Sequence, residues 1–415
     1  MPHGGRDDDE VRAMTVLVTC GETRAGLTAI RALGRAGIAV VVGAAHRPAL
    51  GFWSRYATTT LLLPDPARDA RRFAAAVADE AAGREVAAVL PATDAALWAL
   101  SRWRDALPAT ARAVLPSHDA VVVALDRSAL HDRARGLGLP CMPTERIAHA
   151  DDVEPALRRL SLGDGGRSFA ALVRPLVPWI EREDGSCGIG RALPVHSTGE
   201  LRRLLYERED LVNGGCVIEP RPAGRCLAYG FVAHDGAVIA EVFQERLREH
   251  GGLSGVSTLA RTLAADDELR AVARPLLRAL RFCGAGVVEF FRGDDGVARI
   301  VSLVPRLWGS LGLAVRAGVD VPLLLLRLAR GDVPVGGIVG RAGVLWRWET
   351  GDVEAVAVQA RRLVARVAGP DVVSSRLAAL RGILAPAGAL AAAPDVFAAD
   401  DPMPAVLELQ RSIGR

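Results

Sequence analysis

Lysine is absent from this sequence: all 51 basic side chains among its 415 residues are arginine. Without a lysine amine there is no Schiff-base chemistry, no pyridoxal cofactor held on this chain and no Walker-A loop. Any basic side chain that meets phosphate here does so as a guanidinium, a permanently charged planar fork. Codon usage in a GC-rich genome is the ordinary explanation, and the chemical consequence is the same. The six cysteines (Cys20, Cys141, Cys187, Cys216, Cys226, Cys283) form no CxxC pair, and the eight histidines do not fall at metal spacing with them. That argues against a zinc site and a disulfide framework. Long apolar runs are missing too. Val319 to Leu328, the longest candidate, is interrupted by Asp320, Pro322 and Arg327, short of the ~18 residues a membrane span needs. A net charge of +3, with acids and arginines interleaved, gives no argument for nucleic acid as a partner. The opening MPHGGRDDDEVRA is polar and acidic, unlike a secretory signal, and residues 1–13 read as a disordered leader. The expectation is a soluble cytoplasmic protein with no membrane partner.

Half of the residues are hydrophobic, and the length fits two or three domains with a sizeable core. The run Thr15 to Thr19, the helix-period stretch Leu27 to Arg35 and the run IAVVVGAA form a strand–helix–strand unit. Further strand candidates are Ala87 to Leu90 and Ala113 to Leu115, so residues 14–125 read as a doubly wound α/β domain. Gly21 and Gly26 are spaced GxxxxG, and no acid ends the second strand at Val42, which removes a dinucleotide oxidoreductase reading. Arg24, in that turn, is a candidate to point at a ligand.

From Asp126 the pattern changes to α+β. DRSALHDRARGLGLPCMPT gives a helix opening at Asp126 or Ser128 and closing at Gly136 or Gly138. A strand from Phe169 to Val173 runs into Arg174-Pro175, and EREDGSCGIGRALPV reads as a glycine-rich loop between strands. A helix from Thr198 to Glu209 and a strand from Cys216 to Glu219 follow. Two hairpins then turn at His234-Asp235-Gly236 and Asp294-Asp295-Gly296, the aspartates serving as turn formers. The tail, 335–415, holds GVLWRWE and a helix from Val353 to Ala368, and is expected to pack back on the body.

Taken in order, the segments SRYATTTLLLPDP, VLPATD, LDRSALHDRARGLGLPCMPT, ALVRP, GSCGIG, VIEPRPAG, QERLREHGG and VVEFF with VPRLWGSLGLAVRAGVDVP resemble the ATP-grasp superfamily, in its carbamoyl-phosphate synthetase and carboxylate–amine ligase branch. The resemblance covers residues 15–331. It implies an N-terminal preATP-grasp domain (14–125), two ATP-grasp lobes (126–334) and a C-terminal α/β extension (335–415). It also implies ATP between the lobes, magnesium on its phosphates and a substrate carboxylate that attacks the γ-phosphorus.

On that resemblance Arg127 and Arg174 stand where family lysines meet phosphate, and Glu219 lies on the hinge segment near adenine or ribose. Arg246 and Arg306 are the candidate catalytic anion contacts, and Glu289 is the retained metal ligand. The partner strand should read acid, x, Asn, Pro, Arg, but reads Ser302, Leu303, Val304, Pro305, Arg306. With symmetric pairing about Asp294-Asp295, Glu289 is expected to face Ile300, with Ser302 and Val304 on the same side. Magnesium would then have few protein ligands. Trp308 reads as packing and Cys187 as a small loop residue. Two functions follow. One is a ligase joining a small carboxylate to an amine through an acylphosphate, with an atypical metal site. The other is a degenerate relative that uses the cleft for ATP-free chemistry on an anionic metabolite or serves as a binding subunit. A homodimer through either terminal region is compatible with the sequence.

Overall fold

The computed structural model describes residues 14–160, 162, 171–176, 179–181, 187–189, 193–208, 211, 215–220, 224–250, 256–334, 336–366 and 391–413. The leader, residues 185, 186 and 190 of GSCGIG and residues 251–255 of HGGLSG lie outside them.

A parallel sheet in the order β3-β2-β1-β4 opens the chain, with β1 at Thr15–Val18, β2 at Ala39–Ala44, β3 at Thr59–Leu62 and β4 at Ala88–Leu90. Helices α1 (Arg24–Arg35), α2 (Ala70–Gly83) and α3 (Asp94–Arg102) accompany it. Apolar runs such as AVL in β4 are fully buried, as strands covered on both faces must be. Thr23 and Thr93 cap α1 and α3, their hydroxyls accepting from the backbone N–H groups of Gly26 and Ala96. The strand order reverses between β1 and β4, so the loops after both strands open on one crevice.

One strand differs from the sequence reading. Residues 113–115 form no strand and instead follow a helical turn at Ala109–Arg112. Val114 and Leu115 are apolar because they are buried in the core, not because they alternate on a sheet. The fourth strand is β3, an edge strand whose TTLL is only partly covered.

A second, antiparallel sheet has the order β5-β10-β6-β9, with β5 at Glu145–Ile147, β6 at Ala171–Pro175, β9 at Leu193–Val195 and β10 at Cys216–Pro220. Its separate core includes Val153 and Leu157 on one helix and Leu201 and Leu205 on another. Within the segment read as a glycine-rich loop, Cys187–Ile189 forms a strand, β8, which pairs antiparallel with β7 (Trp179–Glu181). Helix α4 (Arg127–Gly136), capped by Asp126, leads into this lobe.

The largest sheet runs β15-β14-β11-β12-β13-β17-β18. Its strands are β11 (Arg225–His234), β12 (Ala237–His250), β13 (Val256–Thr262), β14 (Gly284–Arg292), β15 (Ala298–Val304), β17 (Leu345–Arg347) and β18 (Ala393–Pro394), with β16 (Ile338–Val339) beside β12. The β11–β12 turn places Asp235 and Gly236 at φ 45 and 77°, the left-handed pair a two-residue hairpin requires. One face packs Phe231, Phe243 and Phe290 against Leu269, Leu276 and Leu277 of α5 (Asp267–Ala279). The other face shares a core with the N-terminal sheet through Val232, Val242, Val287 and Trp308. The run from Val319 becomes α6 (Val321–Ala329), and the tail helix α7 spans Glu349–Arg366, beginning before its expected start.

The tail returns to α1, as expected. Arg31, Asp401 and Ser54 are buried, with Arg31 Nε 2.9 Å from Asp401 Oδ2 and Ser54 Oγ donating to the same oxygen at 2.7 Å. Arg35 and Tyr56 both hold Asp400. Arg24 is corrected here. It pairs with Asp395 at 2.8 Å and stacks on Trp348 at 4.0 Å, because a tail carboxylate and an aromatic face already occupy the direction in which a ligand was expected. Removing one partner of a buried pair strands the other charge. Asp401→Ala should therefore lower unfolding free energy by about 3–5 kcal/mol in urea denaturation, whereas a loss below about 1 kcal/mol would mean Arg31 finds water instead.

Candidate functional site

A cleft of about 170 Å³, open to solvent, lies where α4, the second sheet and the β14–β15 hairpin meet. Arg127, Arg174, Asp94, Glu289 and Ser302 are its polar wall, and Leu130, Leu176 and Val304 contribute to its apolar one.

Glu219 organises the first half. Its carboxylate, 4% exposed as a residue, receives Arg174 Nε at 2.8 Å on Oε2 and lies 3.1 Å from Arg127 Nη1 through Oε1. The register places Arg174 on β6 opposite Val217, with Glu219 two residues further along β10 on the same face. Burial by itself would raise the Glu219 pKa, but the guanidiniums of Arg127 and Arg174 outweigh it and hold the carboxyl below its ordinary value. Arg174 is pushed down, first by burial and then by Arg127, with Arg246 adding to the effect. The three guanidiniums therefore share one electrostatic neighbourhood.

The hairpin register differs from the expected one. Glu289 pairs with Ser302, while Phe290 pairs with Ile300, so Val301 is an extra residue in a β-bulge. Ile300 lies opposite Phe290 in the core, not opposite Glu289. The turn and the bulge each move the pairing by one position. The two shifts cancel in parity and leave Ser302 and Val304 on the Glu289 face. The bulge also turns the Val301 carbonyl outward to accept from Arg127 Nη1 at 2.6 Å and from His131 Nε2 at 3.1 Å.

The second half is an ion-pair cluster on the large sheet. Arg246 pairs with Glu289 and, at 3.3 Å, with Glu249. Ser302 Oγ donates to Glu289 Oε2, so both oxygens of this carboxylate have partners. The residue between Glu289 and β12 in this row is Ala228, paired with Glu289 on one side and Gln244 on the other. Such a small side chain allows Arg246 to reach across β11. Arg306 grips Asp94 with two contacts, Nε–Oδ1 at 2.6 Å and Nη2–Oδ2 at 3.1 Å, and thereby ties the β15 end to the first turn of α3. Trp308 is buried and packs on Gly230.

Arg127, Arg174 and Glu219 thus meet in one group, Arg246 and Glu289 in a second, and Arg306 reaches the cleft through Asp94. His131, Glu249 and Gln244 were missed. His131 sits one helical turn after Arg127, a signal visible in RSALH once Arg127 was chosen. Gln244 is 2% exposed, and its Nε2 has no partner among the described residues. Nothing local in the sequence marks it. Asp294 and Asp295 lie at the hairpin tip, where Asp295 holds Arg299.

No family model matches the sequence, and no curated protein matches it. Solved structures do. N5-carboxyaminoimidazole synthetase from Staphylococcus aureus, complexed with ADP, superposes with TM-score 0.60 at 13% identity over 80% of this chain and 81% of that one. The biotin carboxylase domain of 2-oxoglutarate carboxylase from Hydrogenobacter thermophilus, in complex with MgADP, ADP and bicarbonate, gives 0.61 at 14% over 80% and 73%. L-amino acid ligase from Bacillus licheniformis gives 0.58 at 14% over 77% and 75%. The chain shares the fold of these structures, the ATP-grasp fold. At these identities the likeness concerns the fold alone.

His131 supplies a pH test. A carbonyl can only accept, so Nε2 carries the proton toward Val301 and Nδ1 accepts from Thr144 Oγ1 at 3.0 Å. Burial, reinforced by Arg127, pushes this imidazole down to about 4 from an ordinary 6.5. The unfolded chain then binds the extra proton first, so stability falls as pH drops from about 6.5 to 4. The loss should be about 3 kcal/mol relative to His131→Gln. Urea midpoints of the two proteins that stay parallel over this range would refute it.

Proposed function

We propose that this protein is an ATP-grasp ligase that holds a nucleoside triphosphate in the cleft and joins a small carboxylate to an amine. The observation that carries this reading is the convergence of Arg127 and Arg174 from two elements onto one cleft, with Arg246 from a third paired to Glu289 on the cleft wall. Guanidinium forks suit phosphate and carboxylate oxygens.

In the proposed reaction a carboxylate oxygen attacks the γ-phosphorus, the bond to the β-phosphate oxygen breaks and ADP leaves. The amine nitrogen then attacks the acyl carbon, phosphate departs and the nitrogen gives up a proton. Arg127 and Arg174 bind and orient the polyphosphate, already pre-positioned by Glu219 and the Val301 carbonyl. Arg306, fixed on Asp94, keeps the substrate side of the cleft in register with the nucleotide side. A homodimer, a small anionic substrate and a cytoplasmic setting belong to the same proposal.

Magnesium in this fold calls for hard oxygen ligands. Here both oxygens of Glu289 are engaged, Ser302 is used by Glu289 and Val304 offers methyl groups. Among the described residues no three His, Cys, Asp or Glu side chains are grouped to hold a metal. These side chains do not fit a protein-held magnesium, and no step is assigned to one. The same feature favours a second reading, a binding protein that does not ligate.

Calorimetric titration of ATP and ADP into wild type and Arg174→Gln tests the nucleotide site, and carboxylate–amine pairs are then screened for ADP release. The expected results are nucleotide binding weakened at least about tenfold by the substitution and ADP release that needs both substrates. Binding without any pair that raises ADP release leaves the second reading. Absence of nucleotide binding ends the ligase reading and leaves a cleft for a different anion.

A further inference from the structure

We propose that Arg246 is the resident cation of this cleft: its guanidinium, clamped between Glu249 and Glu289, takes the role of a divalent ion, and nucleotide phosphate binds there without metal. The inference rests on the nucleotide reading above and assigns the chemistry of its cationic centre.

Two partly buried carboxylates facing one positive centre is the arrangement that would hold a hard cation. In this protein the centre is covalently attached to β12. Glu249 and Glu289 have side chains only 12% and 22% exposed, and Arg246 contacts them through Nη1 and Nη2 respectively. Ser302 closes the remaining oxygen of Glu289. A metal entering here would have to displace the guanidinium and break the Ser302 hydrogen bond before gaining one carboxylate.

A guanidinium carries five N–H donors. Two serve the glutamates, which leaves three for an incoming anion. Gln244, on the same face of β12 two residues before Arg246, adds a buried amide donor with no partner among the described residues. The repulsion of Arg127 and Arg246, which adds to burial in lowering the Arg174 pKa, is relieved when a polyphosphate enters. Unlike a metal, this cation cannot be chelated. It also cannot travel in with the ligand, so affinity is set by the protein alone.

The test compares ADP titrations in excess EDTA and in excess magnesium, with Mn2+ binding followed by electron paramagnetic resonance. For wild type the expected result is the same ADP affinity within about twofold in both buffers and no protein-bound Mn2+. Arg246→Ala should lose about 10- to 100-fold in affinity in EDTA, since one charge-assisted contact is removed. The same variant should gain Mn2+ binding at the vacated Glu249–Glu289 pair, a gain that Glu289→Gln in the Arg246→Ala background abolishes. ADP binding by wild type only with magnesium, or Mn2+ bound to wild type, overturns the proposal and leaves the nucleotide reading standing. No ADP binding in either buffer removes the nucleotide reading itself. The wild-type measurements decide the matter even if the variants fail to fold.

Discussion

A guanidinium that leaves water needs an acceptor, and among the described residues the two fully buried arginines, Arg31 and Arg248, each have a carboxylate. The structure is arranged around it. Arg31 is held by Asp401, Arg248 by Asp352, Arg174 by Glu219 and Arg306 by Asp94, each across a long loop of chain. These pairs do not simply add stability, because removing ions from water costs nearly what their attraction returns. They dictate geometry. A fork accepts a carboxylate in few orientations, so each pair fixes how one element faces another.

The cleft shows what this geometry accomplishes. Glu219 holds two arginines from different elements, and the Val301 carbonyl holds one of them again from a third. Charge that would repel itself is thus concentrated where a multiply charged ligand can enter. The fold is that of enzymes crystallised with ADP, yet the charges beside the Glu289 strand are balanced differently from a metal cage.

Local signals were legible in the sequence. The Asp235–Gly236 turn, the cap at Asp126 and the apolar periodicity of α1 depend on neighbours a few residues away, and the structure has all of them. Segment order carried the fold, since eight weak motifs in sequence constrain topology more than any one of them. The Val301 bulge could not be read, because it follows from what the carbonyl meets on α4, some 170 residues earlier. Arg24 was misread for the same reason. Its partner Asp395 is 371 positions away, and no local pattern distinguishes an arginine aimed at a ligand from one aimed at a distant tail. Apolar character at 113–115 reflected burial under the sheet, which periodicity over three residues cannot separate from a strand.

The closure of the tail on α1 has a consequence for how the chain is made. The carboxylate that neutralises Arg31, Asp401, is synthesised 370 residues after it. At ordinary elongation rates that is an interval of roughly 20–70 s. Throughout it α1 carries Arg24, Arg31 and Arg35 without the tail carboxylates they close against, so its packing is completed only after the lobes between have been made.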